Sequence, residues 1–272
     1  MTATMTSLES RYTEVLGRIG EASVRSGRLP GDVILVAVTK NAEPEQIRAL
    51  VNLGHRDFGE NRVLQLVRRA AMLDEYLSRH RVLMRTPKPA SGLFDAPNPT
   101  HASPPESVRW HMIGRLQRNK AKKAVGVCRL IHSVDSLRLA EEIHTIAVKR
   151  DTAVEVLLQV NASGEQGRHG CPLPAARHLA DQIETMVNVR MRGLMTMAVP
   201  SEDPEASRET FGRAREAFEE IRTMGVGEGR FNILSMGMSG DFEVAIEEGA
   251  NIVRVGTAVF GPGLELEEQS SE

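Results

Sequence analysis

Cysteine, aromatic rings, net charge and long apolar runs are all scarce in this chain of 272 residues. The two cysteines, Cys128 and Cys171, lack metal-ligand spacing, which excludes a disulfide framework and a cysteine zinc site. A net charge of −2 gives no general attraction to nucleic acid or to an anionic membrane. Aromatic residues make up 4%, and none interrupts the basic run 115–123, so that run reads as a solvated helix face. No apolar stretch approaches the roughly 20 residues that span a bilayer, and no signal peptide is read at the N-terminus. With 41% hydrophobic and 26% charged residues, the composition is that of an ordinary soluble protein, expected in the cytoplasm.

Short apolar runs alternate with longer amphipathic stretches. Strands are predicted at 33–38, 55–58, 109–113, 129–132, 154–160, 189–195, 231–235 and 251–255. A helix at about 7–25 precedes them, with Leu8, Tyr12, Val15, Leu16 and Ile19 on one face. Pro44 opens a second helix that Gly54 closes. Asp135 or Ser136 caps a third, and Asp203-Pro204 opens a fourth whose apolar face is Phe211, Ala214, Phe218 and Ile221. Strand–helix alternation of this kind gives an α/β fold, read as a single (β/α)8 TIM-type barrel over 1–272 with an extra N-terminal helix. A doubly wound open sheet is the competitor, and no glycine-rich dinucleotide fingerprint follows the first strand to support it. The Pro-rich segment 85–107 is expected to be a mobile loop insertion, and 263–272 an acidic tail.

In such a barrel the functional rim is formed by the carboxyl ends of the strands, with phosphate often held after strands seven and eight. The first apolar strand runs into Lys40, where a turn residue would be expected. A lysine desolvated at an apolar lip can act as a neutral nucleophile toward an aldehyde, although a snorkelling surface lysine is the plainer alternative. The second strand leads to Asn61. The third carries His111, either a pocket residue or a hydrogen-bonded core histidine. The seventh leads into Ser235, Met236, Ser239 and Gly240 before a short helix, and the eighth into Arg254, Gly256 and Thr257. Hydroxyls and free backbone N–H groups there read as a phosphate cradle, with a helix cap and a turn as the plainer alternative; barrel closure makes strands one and eight neighbours and so brings them beside Lys40. Met195, Met197, Met236 and Met238 read mainly as barrel filler.

The segments Val36-Ala37-Val38-Thr39-Lys40, Phe58-Gly59-Glu60-Asn61, Trp110-His111-Met112-Ile113-Gly114, Ser235-Met236-Gly237-Met238-Ser239 and Arg254-Val255-Gly256-Thr257 occur in that order. Together they resemble the pyridoxal phosphate homeostasis proteins, the YggS/PROSC-like family related to the N-terminal barrel of alanine racemases. The resemblance runs from about residue 7 to 262. It implies pyridoxal 5′-phosphate (PLP) bound as an aldimine on Lys40, with Ser239, Gly256 and Thr257 on the phosphate and Arg254 facing the pyridine nitrogen. Asn61 falls within its pocket motif, with Ser235 and Met236 close by, and His111 stands in one of the matching segments. The sequence departs from the family's usual pattern at Asn41-Ala42, Arg115 and Arg118.

The resemblance also bears on chemistry. An arginine at the pyridine nitrogen donates and cannot accept a proton, so the ring is a weaker electron sink than with an aspartate there. Alanine racemases take a second base, a tyrosine, from the other subunit, whereas only Tyr12 and Tyr76 exist here, both early in the chain. The expectation is a monomeric carrier and buffer that takes PLP and related B6 vitamers and serves PLP-dependent apoenzymes without robust turnover. The alternatives are a fold-type III PLP enzyme, such as an amino-acid racemase or lyase, and a barrel for some other phosphorylated metabolite.

Overall fold

The structure is a computed structural model whose described residues are 2–85 and 107–262. The loop insertion at 85–107 lies outside them except for its end residues, as does the tail at 263–272. The strands are β1 (Ile34–Val38), β2 (Asp57–Glu60), β3 (Arg109–Met112), β4 (Cys128–Val134), β5 (Val154–Asn161), β6 (Cys171–Pro172), β7 (Val189–Met195), β8 (Ile233–Ser235) and β9 (Ile252–Val255). All pairings are parallel. The order β4-β3-β2-β1-β9-β8-β7-β5 closes through β4–β5 into an eight-stranded barrel. The two-residue β6 is an unforeseen appendage on β5 that escapes any periodicity.

Around it lie α1 (Thr2–Arg25), α2 (Pro44–Asn52), α3 (Val63–Arg85), α4 (Arg118–Val125), α5 (Leu137–Lys149), α6 (Ala176–Glu184), α7 (Arg208–Thr223), α8 (Phe242–Glu247) and α9 (Thr257–Phe260). The last two helices are single turns or little more, and the extra helix α1 packs over both. Leu8, Val15, Ile19 and Ala22 are buried, and Arg11 donates to the carbonyls of Val259 (3.0 Å) and Phe260 (3.1 Å). Leu16 corrects the sequence reading of this face: it is 42% exposed, because the docked stripe follows 8, 15, 19 and 22.

Alternation along the strands separates two cores. Leu35, Ala37, Trp110, Ile131, Val253 and Val255 face the helices in the large outer core. Val36, Leu130, Leu157, Met195 and Ile252 fill the barrel itself, with Met197 and Ile233 against them. Met236, expected as barrel filler and as a pocket residue, belongs by its side chain to the outer core.

The second strand starts two residues later than predicted, since His55 and Arg56 belong to the preceding turn and Gly59-Glu60 continue the pairing. Ser136 is the N-cap of α5, yet its hydroxyl donates to Asp135 (3.1 Å) and caps no helix N–H. Asp203 accepts from the Glu205 N–H (3.0 Å), and a 3-10 turn at Pro204–Ser207 leads into α7. Gly193 in β7 adopts φ +150°, and a Cβ there would lie 1.7 Å from the Ile233 carbonyl oxygen. Only glycine lets β7 and β8 approach at that point.

Candidate functional site: the carboxyl rim of the barrel

Lys40 occupies the turn immediately after β1. Its side chain is exposed, which corrects the expectation of a lysine desolvated at an apolar lip. What the structure does provide is a rigid mount. Glu60, 1% exposed, ends β2 beneath this turn. Its Oε2 lies 2.9 Å from Thr39 Oγ1 and 2.5 Å from Arg69 Nη1, and Oε1 accepts from the Asn61 N–H at 2.9 Å. Arg69, on α3, also donates through Nη1 to the Thr39 carbonyl and through Nη2 to the Ala42 carbonyl at 2.9 Å. The guanidinium therefore holds both ends of the four-residue turn bearing Lys40. Its fork geometry is what a lysine could not reproduce.

Across the β1–β9 seam sits the second half of the rim. Ser239 Oγ receives the backbone N–H groups of Gly256 (3.2 Å) and Ala258 (3.3 Å). Two donors from the turn after β9 thus converge on one oxygen contributed by the loop after β8. Gly256 packs against Val38, two residues before Lys40, where a Cβ would meet Val38 Cβ and O at 3.4 Å. Lys40 and the converging donors therefore share one rim on neighbouring strands. Thr257 is exposed at the same turn, but the second backbone donor is Ala258, which the sequence reading did not name. Helices α8 and α9 span six and four residues, so the donors act through their own N–H groups more than through a macrodipole.

Two side-chain oxygens near this rim are buried without a hydrogen-bond partner: Asn61 Oδ1, after β2, and Ser133 Oγ, near the end of β4. Leaving such an oxygen unpaired costs about 1–3 kcal/mol, so a polar partner that reached it would recover that cost.

Arg254 lies lower, level with Val36, and is 3% exposed. Nη1 donates to Ser235 Oγ at 2.6 Å and Nη2 to the Thr196 carbonyl at 2.9 Å. Burial lowers the guanidinium to about 10, partly opposed by Asp241, so it remains a cation at neutral pH. His111 is not at the rim. It lies inside the barrel at 4% exposure with both ring nitrogens engaged, Nε2 on Asp57 (3.0 Å) and Nδ1 on His132 (2.9 Å). Among the described residues no group of three or more His, Cys, Asp or Glu could hold a metal, and no helix is long and apolar enough to cross a membrane.

The rim can therefore bind a phosphorylated ligand by backbone donors, present an amine beside it, and offer a buried cation below. Comparison with known proteins accords with that arrangement. Residues 32–263 match the family model described as alanine racemase, N-terminal domain. A pyridoxal phosphate homeostasis protein from Aquifex aeolicus (strain VF5) is 36% identical over 92% of this chain and 96% of its own length. One from Pseudomonas aeruginosa is 34% identical over 94% of this chain and 96% of its own length. Among solved structures, PipY of Synechococcus elongatus PCC7942, with PLP bound, superposes with a TM-score of 0.69 at 33% identity, covering 91% of this chain and all of its own. An alanine racemase from Clostridium difficile 630 shares the fold alone, at 13% identity and a TM-score of 0.63. This chain belongs to the alanine racemase N-terminal domain family, in the branch of the pyridoxal phosphate homeostasis proteins.

Proposed function

We propose that the protein binds PLP through Lys40 and serves as a reversible reservoir and carrier of it. The observation that carries this reading is the convergence of the Gly256 and Ala258 N–H groups on a single oxygen position, on the rim and next to the strand that ends in Lys40. The residues present fit the cofactor. A phosphate oxygen would take the place of Ser239 Oγ as acceptor, or share the two N–H groups with it, and Thr257 is free to turn toward it. The orphaned Asn61 Oδ1 and Ser133 Oγ await polar groups from a ligand. Arg254, all donor, suits an unprotonated ring nitrogen. Ser235 and Asn61 are pocket residues in this reading, while His111 lies deeper in the barrel interior and Met236 packs in the outer core behind the strands.

When bound, the cofactor supplies an electrophilic aldehyde that attaches reversibly to an amine. The protein's own contribution is to place Lys40. The Arg69 fork limits the geometries the turn bearing it can sample. An exposed attachment point suits exchange with acceptor proteins better than a closed active site does. Both tyrosines are committed elsewhere: Tyr12 Oη to His55 Nδ1 (3.2 Å) and Tyr76 Oη to Asn52 Oδ1 (2.8 Å), on α1 and α3 outside the barrel. That placement supports carriage over racemisation, which would need a second base opposite the lysine. The reading includes a cytoplasmic monomer that hands PLP to apoenzymes.

Purified protein titrated with PLP should develop the visible band of lysine-bound cofactor, and Lys40→Ala should lose it. Incubation with D- and L-amino acids should give no efficient racemisation or cleavage. Turnover at enzyme-like rates, or an unchanged band in Lys40→Ala, would overturn the proposal.

A further inference from the structure

Behind Arg254 and Ser235 the barrel interior contains a row of polar side chains that PLP binding as described does not use. Starting at Arg254, Nη1 meets Ser235 Oγ at 2.6 Å, and Ser235 Oγ lies 3.0 Å from His132 Nδ1. His132 Nε2 lies 2.9 Å from His111 Nδ1, and His111 Nε2 lies 3.0 Å from Asp57 Oδ1. Asp57 also accepts two bonds from Arg109, at 2.7 and 2.5 Å. Ser235, His132, His111 and Asp57 are 0 to 7% exposed, whereas the Arg109 side chain is 47% exposed. Asp57 and Arg109 open strands β2 and β3, so the row runs from the carboxyl rim to the opposite end of the barrel.

Hydrogen counting fixes its direction. Arginine has only donors, so Ser235 Oγ accepts from it. The serine hydrogen then has His132 Nδ1 as acceptor, His132 carries its own hydrogen on Nε2 and gives it to His111 Nδ1, and His111 gives its Nε2 hydrogen to the Asp57 carboxylate. With both histidines neutral, every group is satisfied and each dipole turns its negative end toward Arg254. Burial by itself would raise the Asp57 carboxyl, but the bonds from His111 and Arg109 outweigh it and hold it below its usual range. Burial, with the charges of His111 and Arg254, holds His132 well below the usual histidine value and so neutral.

We propose that His132, His111 and Asp57 are positioning residues for Arg254, forming a one-way donor chain that holds the guanidinium for the ligand. The other charged or titratable groups at the chain are His55, whose Nε2–H donates to the Asp57 carbonyl, Arg109 at the far end, and Asp241 beside Arg254. The inference deepens the proposed function and rests on Arg254 facing the bound ring.

The first readout needs no ligand. Long-range 1H–15N spectra of the histidine rings in the unliganded protein should show His132 as the neutral Nε2–H tautomer, with 15N–15N coupling across the N–H···N bond to His111. The second compares the PLP affinity of variants at about pH 8, above the ordinary histidine range. His132→Leu should lose about fivefold to tenfold in affinity, the effect of one hydrogen bond lost behind the guanidinium's serine acceptor. His132→Gln retains an acceptor for Ser235 and a donor for His111 and should restore the affinity to near wild type. A His132 Nδ1–H tautomer at that pH, a folded glutamine variant as weak as the leucine variant, or a folded leucine variant that binds PLP normally would each overturn the proposal. A wild-type protein that fails to bind PLP would count against the proposed function, while the histidine coupling would still decide the chain.

Discussion

Replacing Arg69 by alanine isolates the mount under Lys40. In the native protein its guanidinium answers Glu60 and two backbone carbonyls, Thr39 O and Ala42 O, with side-chain exposures of 16% for Arg69 and 1% for Glu60. Without it, Glu60 retains only the Thr39 hydroxyl and the Asn61 N–H, and an almost fully buried carboxylate loses its counter-charge. Breaking a pair this deep costs about 3–5 kcal/mol, because the remaining charge has already left water. That is a large part of the roughly 5–15 kcal/mol that separates a typical folded domain from its unfolded chain. Urea unfolding followed by circular dichroism should show a midpoint lowered with little change in slope. The double variant Arg69→Ala/Glu60→Gln should regain part of the loss, since no unpaired charge remains. PLP affinity should fall as well, about tenfold for each 1.4 kcal/mol by which the Lys40 turn is loosened. Arg69→Lys should fold better than the alanine variant yet bind PLP less tightly than wild type, because one ammonium cannot bridge both carbonyls and the carboxylate. A fully stable Arg69→Ala protein with normal affinity would refute the reasoning.

Two further outcomes follow from other parts of the barrel. Gly193→Ala should destabilise beyond the about 1–3 kcal/mol of ordinary overpacking, because the new Cβ meets a backbone oxygen that cannot rotate away; a thermal midpoint equal to wild type would contradict this. His132 and His55 are both held below their usual range, chiefly by burial, so the unfolded chain binds more protons than the folded one as pH drops below about 6.5. Stability should therefore rise with pH through that window, by up to about 1.4 kcal/mol per unit for each histidine, and His132→Gln should flatten the slope. Urea midpoints at a series of pH values measure it, and a slope that falls with pH would show the histidines to be charged in the fold.

Periodicity carried the barrel because its signals are local: apolar runs of strand length, amphipathic stretches, and Pro44 or Asp203 at helix starts. The fifth and sixth predicted strands fall almost or fully on β5 and β7. Boundaries slipped where chemistry overrides propensity, as at Gly59-Glu60, whose charge is tolerated in a strand only because Arg69 lies across from it. Lys40, Ser239 and Gly256 could be placed on one rim from order along the chain, since a parallel barrel sends every strand end to the same side. The partners across the barrel could not. Arg69 is one arginine among several on α3, and nothing local distinguishes it. His132 lies two residues after Leu130 and so shares its inward face, but that it meets His111 and Ser235 depends on the registers of strands far apart in sequence. The exposure of Lys40 and of Leu16 likewise depends on what neighbouring elements cover.

Borohydride reduction of the protein mixed with PLP, followed by peptide mapping, tests the shared rim most directly. The expected result is one modified residue, Lys40, with labelling suppressed by excess inorganic phosphate competing for the Gly256 and Ala258 N–H groups. Label spread over the exposed lysines of α4, or placed on Lys40 with no response to phosphate, would contradict it.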